Sequence, residues 1–374
     1  MQSIFILSVM NGAAWGGSEE LWYRSALWLV DNRYQVGVCC FDWPAKKEKL
    51  EALEAAGCKL YLLPGKSQTK TITGKWKLRK AFKKIPFSNY QRIIVNQGGW
   101  KDITSYPFKD LYKTLPVYCL CFHNYDTNEK LSLKKKMSLQ NWIGHAQVNL
   151  AASEKIFKTI TENLGIKIPN QKIFINPVTF QPPEQPLPYL SIQNKIVMVM
   201  LATLDTKRKA QDILIQALSK EKWKQRNWEL HLYGTGDDYV QLENIILTHN
   251  LQSKVFLKGF TNTVKDVIAS SHLVLQVTHK DAMPISVMEA MAIGRPVIVS
   301  NVGDMPAWIK HNENGWIVNK TDIDSLDEML DMAWKNKNQW EMMGKKAFEV
   351  FHNRYPAGSV NQFLYQCECS NSND

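Results

Sequence analysis

Two acids eight residues apart mark the segment Asp281-Ala282-Met283-Pro284-Ile285-Ser286-Val287-Met288-Glu289. Asp281 falls in a loop after a predicted buried strand, and Glu289 lies inside a predicted helix that begins near Ile285-Ser286. The orphan amide groups and the dipole of such a helix start favour phosphate. An acid on each side of a phosphate site could hold hydroxyls, the layout of a sugar, two phosphates and a ribose. The plainer reading makes Asp281 a helix N-terminal charge and Glu289 part of a solvated face, and spacing alone leaves both open. Gly16-Gly17-Ser18-Glu19 follows the first predicted strand and opens a helix. Glycines there let backbone approach a ligand closely; the alternative is an ordinary helix start capped by Ser18. His123 ends the apolar run Val117–Phe122, at a strand's carboxyl end.

The net charge of +11 is unevenly spread: residues 1–184 hold 26 Lys+Arg against 14 Asp+Glu, and residues 185–374 hold 20 against 21. A basic half beside a neutral one points to an anionic partner for the first half. Lys66, Lys70, Lys75, Lys77, Arg79, Lys80, Lys83 and Lys84 form an acid-free run over Lys66–Lys84. With Trp76 and Phe82 it reads as a basic amphipathic helix with an aromatic edge, suited to an anionic membrane surface, or as a solvated lysine-rich face. Lys134-Lys135-Lys136 adds a second cluster. No RNA- or DNA-reading motif accompanies them, so nucleic acid is not expected. The seven cysteines are odd in number and lack Cys-x-x-Cys spacing, which argues against a disulfide framework and a zinc site. No stretch approaches ~18 consecutive apolar residues, and no positive leader with a cleavage site opens the chain. A cytoplasmic protein, peripheral at the inner face of a membrane if the basic run docks there, is the expectation.

Short apolar runs must position these groups. Ile4–Met10, Gln35–Phe41, Lys59–Leu63, Arg92–Asn96, Val117–Phe122 and Gln147–Ala152 read as strands, alternating with amphipathic segments such as Glu19–Asn32 and Lys46–Ala56. After the proline-rich Pro182–Pro188 the pattern restarts with Ile196–Leu201, Glu229–Tyr233, Val255–Leu257, Leu273–Gln276 and Pro296–Ser300. Helical patterns over Asp212–Ser219, Tyr239–His249, Ser286–Ala292 and Ile323–Lys335 separate them. Near-continuous apolar strands between helices predict parallel sheets covered on both faces. The predicted fold is α/β, two doubly wound Rossmann-like domains facing a cleft. The first covers residues 1–181 and the second 191–355, joined by a linker at 182–190, with 356–374 packing back on the first. Asn11-Gly12-Ala13-Ala14-Trp15-Gly16-Gly17 lacks G-x-G-x-x-G spacing, which argues against a nicotinamide enzyme.

The acid-rich segment resembles the E-x(7)-E motif of retaining glycosyltransferase family 4, the glycosyl transferases group 1 with the GT-B fold. The likeness continues, in the family's order, through Gly294-Arg295-Pro296-Val297-Ile298, Asn301-Val302-Gly303-Asp304 and Asn314-Gly315-Trp316-Ile317-Val318. Upstream, Leu204–Asp212 resembles its lysine-bearing diphosphate loop, Tyr233-Gly234-Thr235-Gly236 its glycine turn, and Lys258-Gly259-Phe260 the strand end that faces the base.

This resemblance implies that Glu289 accepts hydrogen bonds from ribose, Asp281 holds the donor sugar, and Lys209 neutralises the leaving diphosphate. It implies that His123 contacts the donor sugar. Gly16, Gly17, Thr203, Arg208, Gly234, Phe260, Met283, Pro284, Ile285 and Ser286 would complete the nucleotide-sugar site. Two departures stand out: Thr203 where the family often has arginine, and Asp281-Ala282 for its usual Glu-Gly pair. The implied activity is retaining, metal-independent sugar transfer from a nucleotide diphosphate sugar to a glycan or lipid-linked acceptor in cell-surface polysaccharide synthesis. No cofactor is expected. A catalytically silent GT-B protein that binds a nucleotide sugar or glycan is the alternative.

Overall fold

The computed structural model describes residues 2–10, 15–65, 69, 71–124 and 131–369. Lys66, Lys70, residues 11–14 of the tested fingerprint and the 370–374 tail lie outside the described residues. The chain forms two units, Met1–Pro177 with Pro356–Asp374, and Val178–Tyr355. No helix among the described residues is long and apolar enough to cross a membrane.

The first unit is built on seven strands: β1 Ser3–Ser8, β2 Gln35–Phe41, β3 Lys59–Leu63, β4 Arg92–Gln97, β5 Val117–Phe122, β6 Val148–Ala151 and β7 Gln171–Ile173. Their order is β3-β2-β1-β4-β5-β6-β7, every pair parallel. β1 is buried at every position because helices cover both faces of the sheet. One of them, Gly17–Asp31, turns Leu21, Trp22, Ala26 and Leu29 inward at helical spacing.

The second unit repeats the plan with β8 Ile196–Leu201, β9 Trp228–Tyr233, β10 Val255–Gly259, β11 Leu273–Gln276, β12 Val297–Ser300 and β13 Gly315–Val318. The order is β10-β9-β8-β11-β12-β13, again all parallel. Both units are therefore doubly wound and Rossmann-like. In each, strand order reverses beside the first strand, at β1/β4 and at β8/β11, and ligands of such sheets bind beyond the carboxyl ends at that point.

The proline-rich stretch read as a linker lies within the second unit, held by Arg295. That side chain is 1% exposed, and its guanidinium donates to the carbonyls of Ser271 (3.0 Å), Ala269 (2.8 Å), Leu187 (3.2 Å) and Pro188 (2.8 Å). Tyr189 packs over its charge at 5.2 Å.

The basic run forms the helix Ile72–Lys83, with Lys75, Trp76, Lys77, Arg79, Lys80 and Lys83 exposed. Phe82 departs from the expected aromatic edge. It is half-buried against Phe87 and Phe108, with ring centroids at 5.8 and 5.4 Å, because its helical position faces the unit's own aromatic core.

Candidate functional site

In the second unit, the loops that leave β8 and β11 meet at the switch point. The turn after β8 is tied down locally. Asp205 caps the short helix Thr206–Lys209, and Asp238 accepts from both the amide and the hydroxyl of Thr206 at 2.7 and 2.8 Å. Gly234, at φ +143°, lets β9 end against this turn, where a Cβ would collide with the Ala202 carbonyl. Thr203 is half-buried, and its carbonyl accepts from Gln211 at 2.8 Å.

The Arg208 carbonyl joins the two loops, accepting from the His279 amide at 2.9 Å and the Thr278 hydroxyl at 2.6 Å. That linkage carries Lys209 to Asp281, and the two side chains form an ion pair with only 12% and 17% of their surface exposed. Arg208 itself pairs loosely with Asp205, Nε to Oδ2 at 3.4 Å. Ion pairs this far from water gain little net stability, because desolvation offsets the attraction. A diphosphate could take Lys209, and sugar hydroxyls could take Asp281.

The helix Ile285–Ala292 follows directly. Pro284 stands at its N-cap with no side-chain cap, so its first amides keep their capacity for an anion. Met283, Pro284 and Ser286 are buried, and Ser286 donates to Gln276 at 3.0 Å. Ala282 is not among the residues with positive φ, so alanine in place of the family's glycine costs no backbone strain. Gly303, at φ +59°, is the glycine this loop requires, since a Cβ there would strike the Ala282 carbonyl. Glu289 is 3% exposed rather than on a solvated face. Its Oε1 accepts from the Thr179 amide at 2.9 Å and from the Thr179 hydroxyl. Phe260, just past β10, is 68% exposed, a free aromatic face.

In the first unit the corresponding strand ends gather polar groups. Gly16 precedes the helix Gly17–Asp31, which no side chain caps, so Ser18 does not serve as the expected cap. The Ser18 hydroxyl donates instead to Glu19 at 2.8 Å. Asn96 joins this turn to His123: its amide nitrogen donates to the Ser18 carbonyl at 3.4 Å, and its oxygen lies 2.5 Å from His123 Nε2. Since that oxygen can only accept, Nε2 carries the ring proton and Nδ1 is the acceptor. Nδ1 is buried with no hydrogen-bond partner among the described residues. Burial pushes the His123 pKa down to about 3, so the ring is neutral.

Sequence reasoning missed three of these groups. Gln97 is wholly buried with neither amide atom bonded, and the Lys46 Nζ is buried and unbonded, among the described residues. Asp102 accepts from the Gly98 and Gly99 amides at 2.9 and 3.3 Å, and burial lifts its pKa to about 6. Gly98-Gly99 after a buried strand was the available signal. The cysteines also depart from expectation. Read as scattered, they bring Cys119, Cys121 and Cys367 together in the first unit, their sulfurs within 4.8 Å of one another.

His123 has a testable linkage. Its folded-state pKa lies below the unfolded value of about 6.5, so the unfolded chain binds the extra proton and stability falls as pH drops below about 6.5. Between pH 6.5 and pH 5 this should remove about 1–2 kcal/mol. Asp102, raised by burial, acts with the opposite sign. The difference between wild type and His123→Asn in urea melts at the two pH values isolates the histidine. A difference that does not change with pH would refute the neutral ring.

The chain is similar to known proteins in sequence and in fold. Residues 184–350 match the model for the family described as glycosyl transferases group 1. Poly(ribitol-phosphate) alpha-N-acetylglucosaminyltransferase of Staphylococcus aureus is 28% identical over 167 residues, 44% of this chain and 34% of that protein. N-acetyl-alpha-D-glucosaminyl L-malate synthase of Bacillus anthracis is 22% identical over 168 residues, 45% of this chain and 44% of that protein. The matching stretches thus span less than half of these relatives. In fold, the chain is similar to Anabaena HepE in complex with UDP-glucose, with a TM-score of 0.75 at 19% identity over 98% of this chain and 99% of that one.

Proposed function

The chain is a GT-B protein whose residues 184–350 belong to the glycosyl transferases group 1 family, and from that premise we propose a retaining, metal-independent glycosyltransferase. It moves a sugar from a nucleotide diphosphate sugar to a glycan or lipid-linked acceptor of a cell-surface polysaccharide pathway. The observation that carries this reading is the Lys209–Asp281 pair at the switch point, beside the uncapped helix that bears buried Glu289. A relative acts on poly(ribitol-phosphate) and a structural neighbour holds UDP-glucose, which supports the donor and acceptor classes.

In this mechanism the diphosphate sits at the amides of Ile285 and Ser286, and Lys209 leaves Asp281 to meet it. As the glycosidic bond breaks, negative charge grows on the phosphate oxygen, where a fixed cation contributes most. Arg208 adds a second positive charge beside it. Asp281, released from Lys209, accepts hydrogen bonds from the donor sugar next to the anomeric carbon. The acceptor hydroxyl attacks from the face the diphosphate leaves, and the diphosphate takes its proton. Phe260 offers its exposed ring to the base. Within the first unit, neutral His123 keeps Nδ1 as a hydrogen-bond acceptor, and Gln97 and Lys46 are further polar groups without a hydrogen-bond partner among the described residues.

Glu289 accepts from Thr179 at Oε1, and in this reading its buried carboxylate also accepts from ribose hydroxyls. In Glu289→Gln the amide oxygen keeps Thr179 while the amide nitrogen replaces the acceptor. A hydrogen bond to a charged group contributes roughly 1.5–3 kcal/mol, so nucleoside diphosphate affinity should fall about 10- to 100-fold. Calorimetry giving an unchanged Kd would remove Glu289 from the site. Release of nucleoside diphosphate from a nucleotide sugar separates this reading from a silent GT-B protein, which binds without turnover. The exposed face of Ile72–Lys83, with Trp76 at its surface, supports docking on an anionic membrane.

A further inference from the structure

The first unit holds a cluster of thiols that sugar transfer does not use. β5 places Cys119 and Cys121 on one face, because alternate strand residues point the same way. Opposite them, the helix Ser359–Gln366 ends in Cys367-Glu368-Cys369. The turn that brings both of these cysteines inward is unusual: Glu368 adopts φ +56°, a left-handed conformation that costs a non-glycine residue energy. It is held there by Arg92, whose Nη1 lies 3.4 Å from its carboxylate, and by the Gln147 amide. Lys172 reaches the neighbouring Gln366 carbonyl at 3.3 Å. The result is four cysteines at 3% exposure or less, from segments more than 240 residues apart.

The sulfurs of Cys119, Cys121 and Cys367 lie within 4.8 Å of one another, and Cys369 sits beside them, its thiol donating to the Cys367 carbonyl at 3.5 Å. In a tetrahedral zinc–thiolate centre, Zn–S bonds of about 2.3 Å place sulfurs roughly 3.8 Å apart. These three sulfurs therefore need only small inward shifts to close on an ion, and Cys369, outside that 4.8 Å group, completes the set by turning its thiol away from the Cys367 carbonyl. Thiolates select soft or borderline ions, and four of them in a closed site match structural zinc. We propose that Cys119, Cys121, Cys367 and Cys369 bind one zinc ion, which fastens the C-terminal helix to β5.

Binding releases the thiol protons to solvent as four sulfur–zinc bonds form, and no electrons move. The positive Lys172 at the same turn offsets part of the charge the bound cluster would carry. One-residue spacing within each pair, rather than two, kept the site out of sight in the sequence.

Full-length protein purified without chelator, under reductant, should carry one zinc per chain by elemental analysis. Chelated protein refilled with cobalt should show a thiolate-to-cobalt charge-transfer band. Cys367→Ser/Cys369→Ser should lose both signals, and its Tm should no longer respond to zinc. If that variant does not fold, wild-type metal content and the cobalt band still decide. Metal-free protein with no cobalt band overturns the proposal, whether its thiols all react after denaturation without reductant or two are missing as a disulfide.

Discussion

Replacing Lys209 by alanine should lower kcat about 100- to 1,000-fold while changing the donor KM far less. Losing one preorganised group that stabilises developing charge typically costs that much, since its benefit appears in the transition state rather than on binding. The geometry sharpens the expectation. In the free protein Lys209 is engaged by Asp281, so donor binding exchanges one anion for another and ground-state affinity gains little. In the proposed mechanism the growing charge of the departing diphosphate would tip that balance. Lys209→Ala also leaves Asp281 partly buried without its partner, so circular dichroism must accompany the kinetics to show that the fold persists. Steady-state release of nucleoside diphosphate is the readout. A raised KM with intact kcat would demote Lys209 to a binding group and pass its role to Arg208 or Lys207.

Arg295→Met should destabilise the second unit by about 3–5 kcal/mol, the usual cost of removing one partner from a buried charged network. Four carbonyls, of Leu187, Pro188, Ala269 and Ser271, lose their donor together. Methionine fills much of the space but donates nothing. For a unit of this size the loss corresponds to a Tm lower by on the order of 10 °C. Because Arg295 fastens the segment that runs into β8, local proteolysis near Pro186 should rise in parallel. A Tm within two or three degrees of wild type, by about the usual scatter of surface substitutions, would show that the carbonyls find water instead.

The sheets were legible because their strands are apolar on both faces, so runs such as Phe5-Ile6-Leu7 and Val297-Ile298-Val299 announce themselves. β7 was not, since Gln171-Lys172-Ile173 is a three-residue edge strand with polar side chains. β13 was read only as a motif, its glycine weakening the strand pattern. In the second unit the site followed local sequence: Asp281, the helix start and Glu289 share one loop and helix. The partner of Asp281 came from the Leu204–Asp212 loop, but nothing local tells that Lys209 pairs with it. In the first unit, Lys46 follows β2 whereas Gln97 ends β4 and Asp102 follows it, and only the order β2-β1-β4 makes neighbours of these segments. Phe82 failed for a related reason: a helical wheel shows a face but not which neighbour covers it. The cysteine cluster depends on the return of the C-terminal helix, which spacing within the chain does not encode.

The most direct test of the account is calorimetric titration of the wild-type chain with UDP, GDP, ADP and their sugars, with Glu289→Gln beside it. The account predicts that one nucleoside diphosphate binds at a single site and that its sugar is consumed with release of that diphosphate. In Glu289→Gln the same ligand should bind about 10- to 100-fold more weakly. Absence of binding across the panel, or binding that Glu289→Gln leaves untouched, would contradict it.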